Sequence, residues 1–164
     1  MNEPLLKKII DESILLELNI SELYKIFNQA FPEDAYFWWE LSEEEEAHAV
    51  LIRDTVRINV ETFEVLAEMF SPTLSKLKEA NEIIDGLIRK YGEKPPSREK
   101  VLNLALEIEH TSGEIQYQKF MSKKSDDLIV QLYQKLNKSE ENHAARVKKY
   151  MAEHNIPVKK PNKM

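Results

Sequence analysis

The chain has 164 residues, no cysteine, 3 Gly and a formal net charge of −6. That length suits one domain with a real core, and the missing cysteine excludes disulfides, thiolate metal sites and a catalytic thiol. The acidic balance argues against nucleic acid as the main partner, and no apolar run approaches the roughly 20 residues that cross a membrane. The opening Met1-Asn2-Glu3-Pro4 has no signal-peptide pattern, so the expected location is cytoplasmic.

Leu, Glu, Lys and Ala at helical spacing predict an all-α fold. The first helix is expected over residues 3–30, with Asn2 as cap and Pro4 in its first turn. Its buried face is read from Leu5, Ile9, Leu16, Ile20, Leu23 and Phe27, which recur at threes and fours. Phe31-Pro32-Glu33-Asp34 breaks the pattern. A second helix follows over residues 34–59, opening on Tyr36, Phe37, Trp38 and Trp39. Those rings serve core packing or an oligomer contact in preference to a substrate box. The short link predicts an antiparallel hairpin of the two helices.

Residues 60–96 are read as a long helical crossover. Helical stretches are expected over 60–70 and 73–91, with a break at Ser71-Pro72 and an end at Gly92 and Pro95-Pro96. A third bundle helix is predicted over residues 98–121 with Ser97 as cap. Gly113 within it marks either close packing or a tolerated weak position. After the turn Ser122-Lys123-Lys124-Ser125, a fourth helix covers residues 126–153. The domain is thus drawn over 1–155, and residues 156–164 are expected to be a flexible tail.

The second and fourth helices repeat each other. Leu41-Ser42-Glu43-Glu44-Glu45-Glu46-Ala47-His48-Ala49 aligns without a gap on Leu136-Asn137-Lys138-Ser139-Glu140-Glu141-Asn142-His143-Ala144. Both contain Glu-x-x-His, as Glu45/His48 and Glu140/His143. Residues three apart share a helix face, so each carboxylate and imidazole can reach one point, which is half of a metal site. Glu44 also stands four residues before His48, but Ser139 occupies the matching place before His143, so only the three-residue spacing works in both copies.

The first and third helices repeat as well. Glu17 matches Glu109 and Glu22 matches Glu114, with apolar neighbours Leu16 and Ile108 at equivalent positions. The candidate metal ligands are therefore Glu17, Glu45, His48, Glu109, Glu140 and His143. Two Glu-x-x-His helices plus a Glu from each of two others is the donor set of ferritin-like di-iron and di-manganese bundles. Four carboxylates offset the charge of two divalent ions, and the oxygen and imidazole donors suit iron, manganese or zinc. Glu43, Glu44 and Glu46 read as a solvated face. Glu12, Glu22 and Glu114 support the ligands or lie on the surface. His110 points elsewhere on its helix, and His154 is expected to be exposed.

On these residues the chain resembles the rubrerythrin branch of the ferritin-like superfamily over roughly 5–30, 35–58, 98–121 and 126–153. The resemblance implies a ferritin-like four-helix bundle with a long helical crossover between its second and third helices. It implies that Glu45 and Glu140 bridge two iron ions, that Glu17 and His48 complete one shell, and that Glu109 and His143 complete the other. Tyr24 and Tyr117 match tyrosines whose hydroxyls hydrogen-bond the metal-binding glutamates; otherwise they are ordinary core tyrosines. The implied activity is that of an oxidoreductase reducing peroxide or dioxygen in an oxidative-stress setting; the short hairpins and the aromatic start of the second helix point to a homodimer. Two departures stand out. Ser112 occupies the place of a further Glu found in peroxidase-active rubrerythrins, and without cysteine there is no rubredoxin domain, so a separate electron donor is needed. Two rival readings are a ferroxidase that handles iron and a non-redox structural or partner-binding bundle.

Overall fold

In the computed structural model, the described residues are 3–58, 74–116 and 128–159. All regular structure among them is helical: α1 (Glu3–Ala30), a short 3-10 turn (Pro32–Asp34), α2 (Ala35–Ile58), α3 (Leu74–Glu93), α4 (Arg98–Gln116) and α5 (Leu128–Glu153). None of these helices is long and apolar enough to cross a membrane. The chain divides into two compact units, Met1–Pro95 and Pro96–Met164. The boundary falls in Pro95-Pro96, where proline interrupts helical hydrogen bonding.

In the first unit α1 packs against both α2 and α3. The link between α1 and α2 is only four residues long, Phe31 to Asp34, because the 3-10 turn absorbs Pro32. Phe31 N–H donates to Phe27 O at 3.0 Å, Asp34 N–H donates to Phe31 O at 2.9 Å, and Asn28 Nδ2 donates to Ala35 O. Trp38 is fully buried, with ring centroids 5.6 Å from Tyr24, 5.1 Å from Phe27 and 5.2 Å from Phe37. The aromatic run that opens α2 thus splits. Phe37 and Trp38 enter the core, while Tyr36 and Trp39, 69% and 49% exposed, pair outside with ring centroids 5.8 Å apart and planes tilted by 40°. Two consecutive helical residues differ by about 100° in direction, so a run of four cannot all face inward.

Along α3, Leu77, Asn81, Ile84 and Tyr91 are buried, and Tyr91 lies 6.2 Å from Phe27. Asn81 fixes how α3 meets α1. Its Nδ2 donates to Glu12 O and Glu12 Oε2, both at 2.9 Å, and its Oδ1 accepts from Asn19 Nδ2 at 3.0 Å. Two expectations change here. α3 runs through Gly92 to Glu93 instead of stopping at the glycine, because Gly92 has an ordinary helical backbone and the stop comes from the prolines. Leu6, not Leu5, joins Ile9 on the buried face, and Leu5 is 38% exposed at the first turn. Residues 60–70 of the expected crossover, and Ser71-Pro72, lie outside the described residues.

In the second unit α4 packs against α5. Val101, Leu102, Ala105, Leu106 and Ile108 of α4 and Ala144, Val147 and Met151 of α5 are all buried, recurring along each helix largely at threes and fours. Ser97 O accepts from Lys100 N–H and Val101 N–H as α4 begins. α5 ends on Asn155, whose φ of 55° is left-handed, and Ile156 N–H donates back to Met151 O at 2.8 Å. This is the Schellman ending, in which Asn tolerates the left-handed position. The first residues of the expected tail then run along α4. Asn103 Nδ2 donates to Pro157 O at 3.1 Å, and Lys159 N–H donates to Asn103 Oδ1 at 2.7 Å. Lys159 Nζ also pairs with Glu99 at 2.7 Å.

Candidate metal centre

Glu45 and His48 stand three residues apart on α2, which brings them to one face, and α1 presents Glu17 to them. His48 Nδ1 lies 3.1 Å from Glu45 Oε2 and 3.9 Å from Glu17 Oε2. One ligand atom from each of the three residues can be chosen so that all lie within 4.8 Å of one another. Glu45 is 1% exposed and His48 is buried, while Glu17 is half-buried. The helices therefore carry an imidazole and two carboxylates inward, at a site where an uncompensated charge costs several kcal/mol, on the order of the effective desolvation penalty per ion.

The donors fit a divalent cation. Two atoms held about 2.1 Å from one ion stand at most about 4.2 Å apart. The spacing of up to 4.8 Å is slightly wider, and rotation at the carboxylate ends closes the difference. Oxygen donors plus one imidazole suit iron, manganese or zinc, and the residues alone do not distinguish these ions.

The second unit has a corresponding pair. Glu109 on α4 and His143 on α5 are both buried, with His143 Nδ1 3.4 Å from Glu109 Oε2. Glu140 lies three residues before His143 on α5, and its side chain is outside the described residues. Tyr24 is fully buried among Phe27 and Trp38. Tyr117 lies outside the described residues, as do the side chains of His110, Ser112 and Glu114.

The neighbouring acids separate by role. Glu43 and Glu22 are exposed. Glu46 forms an ion pair with Lys25 across α1 and α2. The Glu46 hydrogen bond raises the Lys25 pKa above its ordinary value, against a smaller opposing effect of burial, and the charges of Glu46, Glu22 and Glu43 add to the rise. Glu12 accepts from Asn81, and His154 is exposed and stacks on Tyr150 at 4.1 Å.

The sequence reading missed Asn81 and Asn103. Each interrupts an apolar stripe, Leu77-x-x-x-Asn81-x-x-Ile84 and Val101-Leu102-Asn103-Leu104-Ala105. A polar residue in a core position is the signal that marks a buried hydrogen-bonding partner. Comparison with family models, with curated proteins and with solved structures finds no match for this chain.

Proposed function

We propose that the chain is a rubrerythrin-like non-haem di-iron protein, an oxidoreductase that reduces peroxide or dioxygen. The observation that carries this reading is the buried convergence of Glu17, Glu45 and His48, with Glu109 and His143 at the matching positions of the repeated sequence. The reading entails a ferritin-like bundle of α1, α2, α4 and α5, with residues 60–96 as its crossover. It takes one ligand set from each helical pair, supplied by one chain or exchanged between two copies of a homodimer.

In this reading Glu17 and His48 would hold one ion, Glu109 and His143 the other, and Glu45 and Glu140 would be shared between them. When bound, two ferrous ions supply two electrons to the oxidant, one each. The residues do the rest. Four carboxylates balance the charge, the imidazoles donate ring lone pairs, and burial of Glu45 and His143 limits access of water. Tyr24 and Tyr117 are assigned to orienting the carboxylates. Electrons would come from a donor outside this bundle, since its residues include no cysteine to build a rubredoxin site. Manganese or zinc would fit the same donors.

Anaerobic titration with ferrous iron, followed by peroxide or oxygen, tests the proposal. Saturation at two irons per chain and faster oxidation by peroxide is the expected result. Continued uptake with oxygen, in a large shell, would establish iron storage by a ferroxidase. No binding would leave a structural or partner-binding bundle.

A further inference from the structure

Among the described residues, the first unit buries Ser13, Ser21 and Ser42, and two of them satisfy their hydroxyls on their own helix. Ser13 Oγ donates to Ile9 O at 2.9 Å, and Ser42 Oγ donates to Trp39 O at 2.8 Å. Such back-bonding is the usual resort of a serine within a helix. Ser21 departs from it. It is 1% exposed, and its hydroxyl has no hydrogen-bond partner among the described residues. The carbonyl of Glu17, four residues back, is the default acceptor, and Ser21 does not take it.

The position of Ser21 is as informative as its burial. Two α1 residues reach the same turn of α2: Glu17 approaches His48, and Lys25 pairs with Glu46. Ser21 stands midway between Glu17 and Lys25, one helical turn from each. It is therefore level with the Glu45–His48 turn that carries the candidate ligands. A buried hydroxyl without a partner costs stability, and this one stands one helical turn along α1 from Glu17, a carboxylate that would turn to take up a cation. A carboxylate that turns onto an ion through one oxygen leaves its other oxygen to accept a hydrogen bond.

We propose that Ser21 is a positioning residue of the candidate metal centre, its hydroxyl donating to a carboxylate oxygen of Glu17 or Glu45 in the cation-bound form. The inference rests on the metal-binding reading above and extends it to a residue that supplies no ligand atom. Serine suits the task because its hydroxyl rotates freely and its bulk lets α1 and α2 stay close.

The test uses the full chain, with Mn2+ as probe, in two measurements: calorimetric titration with Mn2+, and thermal unfolding in a chelator. Ser21→Ala is expected to unfold at the wild-type temperature or above it without metal, and to bind Mn2+ about tenfold or more weakly, the usual cost of losing a group that orients a ligand. Ser13→Ala, which removes a back-bonded hydroxyl, is expected to bind Mn2+ as the wild type does. Ser21→Thr keeps the hydroxyl and is expected to retain affinity within about threefold, since only an added methyl distinguishes it. Wild-type affinity in Ser21→Ala, or equal losses in Ser21→Ala and Ser13→Ala, would overturn the assignment. Should Ser21→Ala not fold, weak binding by a folded Ser21→Thr would do so. Failure of the wild type itself to bind Mn2+ would overturn the metal reading, and the role of Ser21 with it.

Discussion

At Glu45 a carboxylate is held at 1% exposure beside His48, where an apolar side chain would be cheaper to bury. That choice makes physical sense when a cation shares the site, and it sets a prediction with two opposite signs. Glu45→Leu is expected to raise the unfolding temperature in chelator, because it removes a buried charge. It is also expected to abolish stabilisation by Mn2+, which for the wild type amounts to about 2.7 kcal/mol at a hundredfold excess over Kd. Melting curves with and without Mn2+ read both effects, and a lower melting temperature in chelator would make Glu45 a structural residue. The pair Glu45 and His48 was legible in the sequence because two copies share one spacing. The role argued for Ser21 was not, since a serine on an apolar face reads the same whether or not it bonds to its own helix. Likewise Leu5 and Leu6 flank one edge of the helical face, and periodicity alone did not choose between them.

Helix boundaries follow local chemistry, and they were readable for that reason. α1, α2 and α5 fall close to their expected spans because Pro, Asn and turn residues act on their immediate neighbours. The contacts between helices are different. Asn81 bonds to Glu12 and Asn19, which lie on another helix, and no short-range pattern names such partners. Asn81→Ala leaves those groups without their partner and is expected to cost about 1–3 kcal/mol by urea denaturation. The Asn103 clamp makes a parallel case. Asn103→Ala is expected to cost a similar amount, on the order of 1–3 kcal/mol, and to expose the segment after Glu153 to limited proteolysis, with cleavage near Val158 as the readout. The Lys25–Glu46 pair is a weaker link, since both side chains are more than a third exposed. Pairs of that kind contribute roughly 0.2–1 kcal/mol. Because the folded Lys25 pKa is raised, its contribution is present throughout the neutral range and is lost only as pH rises through that raised value. Lys25→Met should therefore shift stability slightly at pH 7 and progressively less as pH rises through the raised Lys25 pKa, measured by denaturation from neutral to alkaline pH.

For the molecule as a whole, the question is whether its two units act at one centre. Each carries a Glu/His group: Glu17, Glu45 and His48 in Met1–Pro95, and Glu109 and His143 in Pro96–Met164. Two independent half-sites would bind cations without regard to each other, and losses of affinity at distant independent sites add within about 0.3–0.5 kcal/mol. A shared centre couples them, because removing an imidazole from one ion disturbs the carboxylates that bridge to the other. A double-mutant cycle on His48→Ala and His143→Ala, read by Mn2+ titration of the full chain, separates the cases. For a shared centre, either single change is expected to reduce both binding events, and the double change to cost less than the sum of the two, by about 0.5–3 kcal/mol. If each single variant loses one ion and retains the other at wild-type affinity, the two pairs are separate sites and the bridging role of Glu45 and Glu140 falls. A cycle run on mixed copies of the two single variants adds the remaining distinction. Recovery of one intact centre on mixing requires His48 and His143 to come from different chains, whereas a centre built within one chain is not restored by any partner.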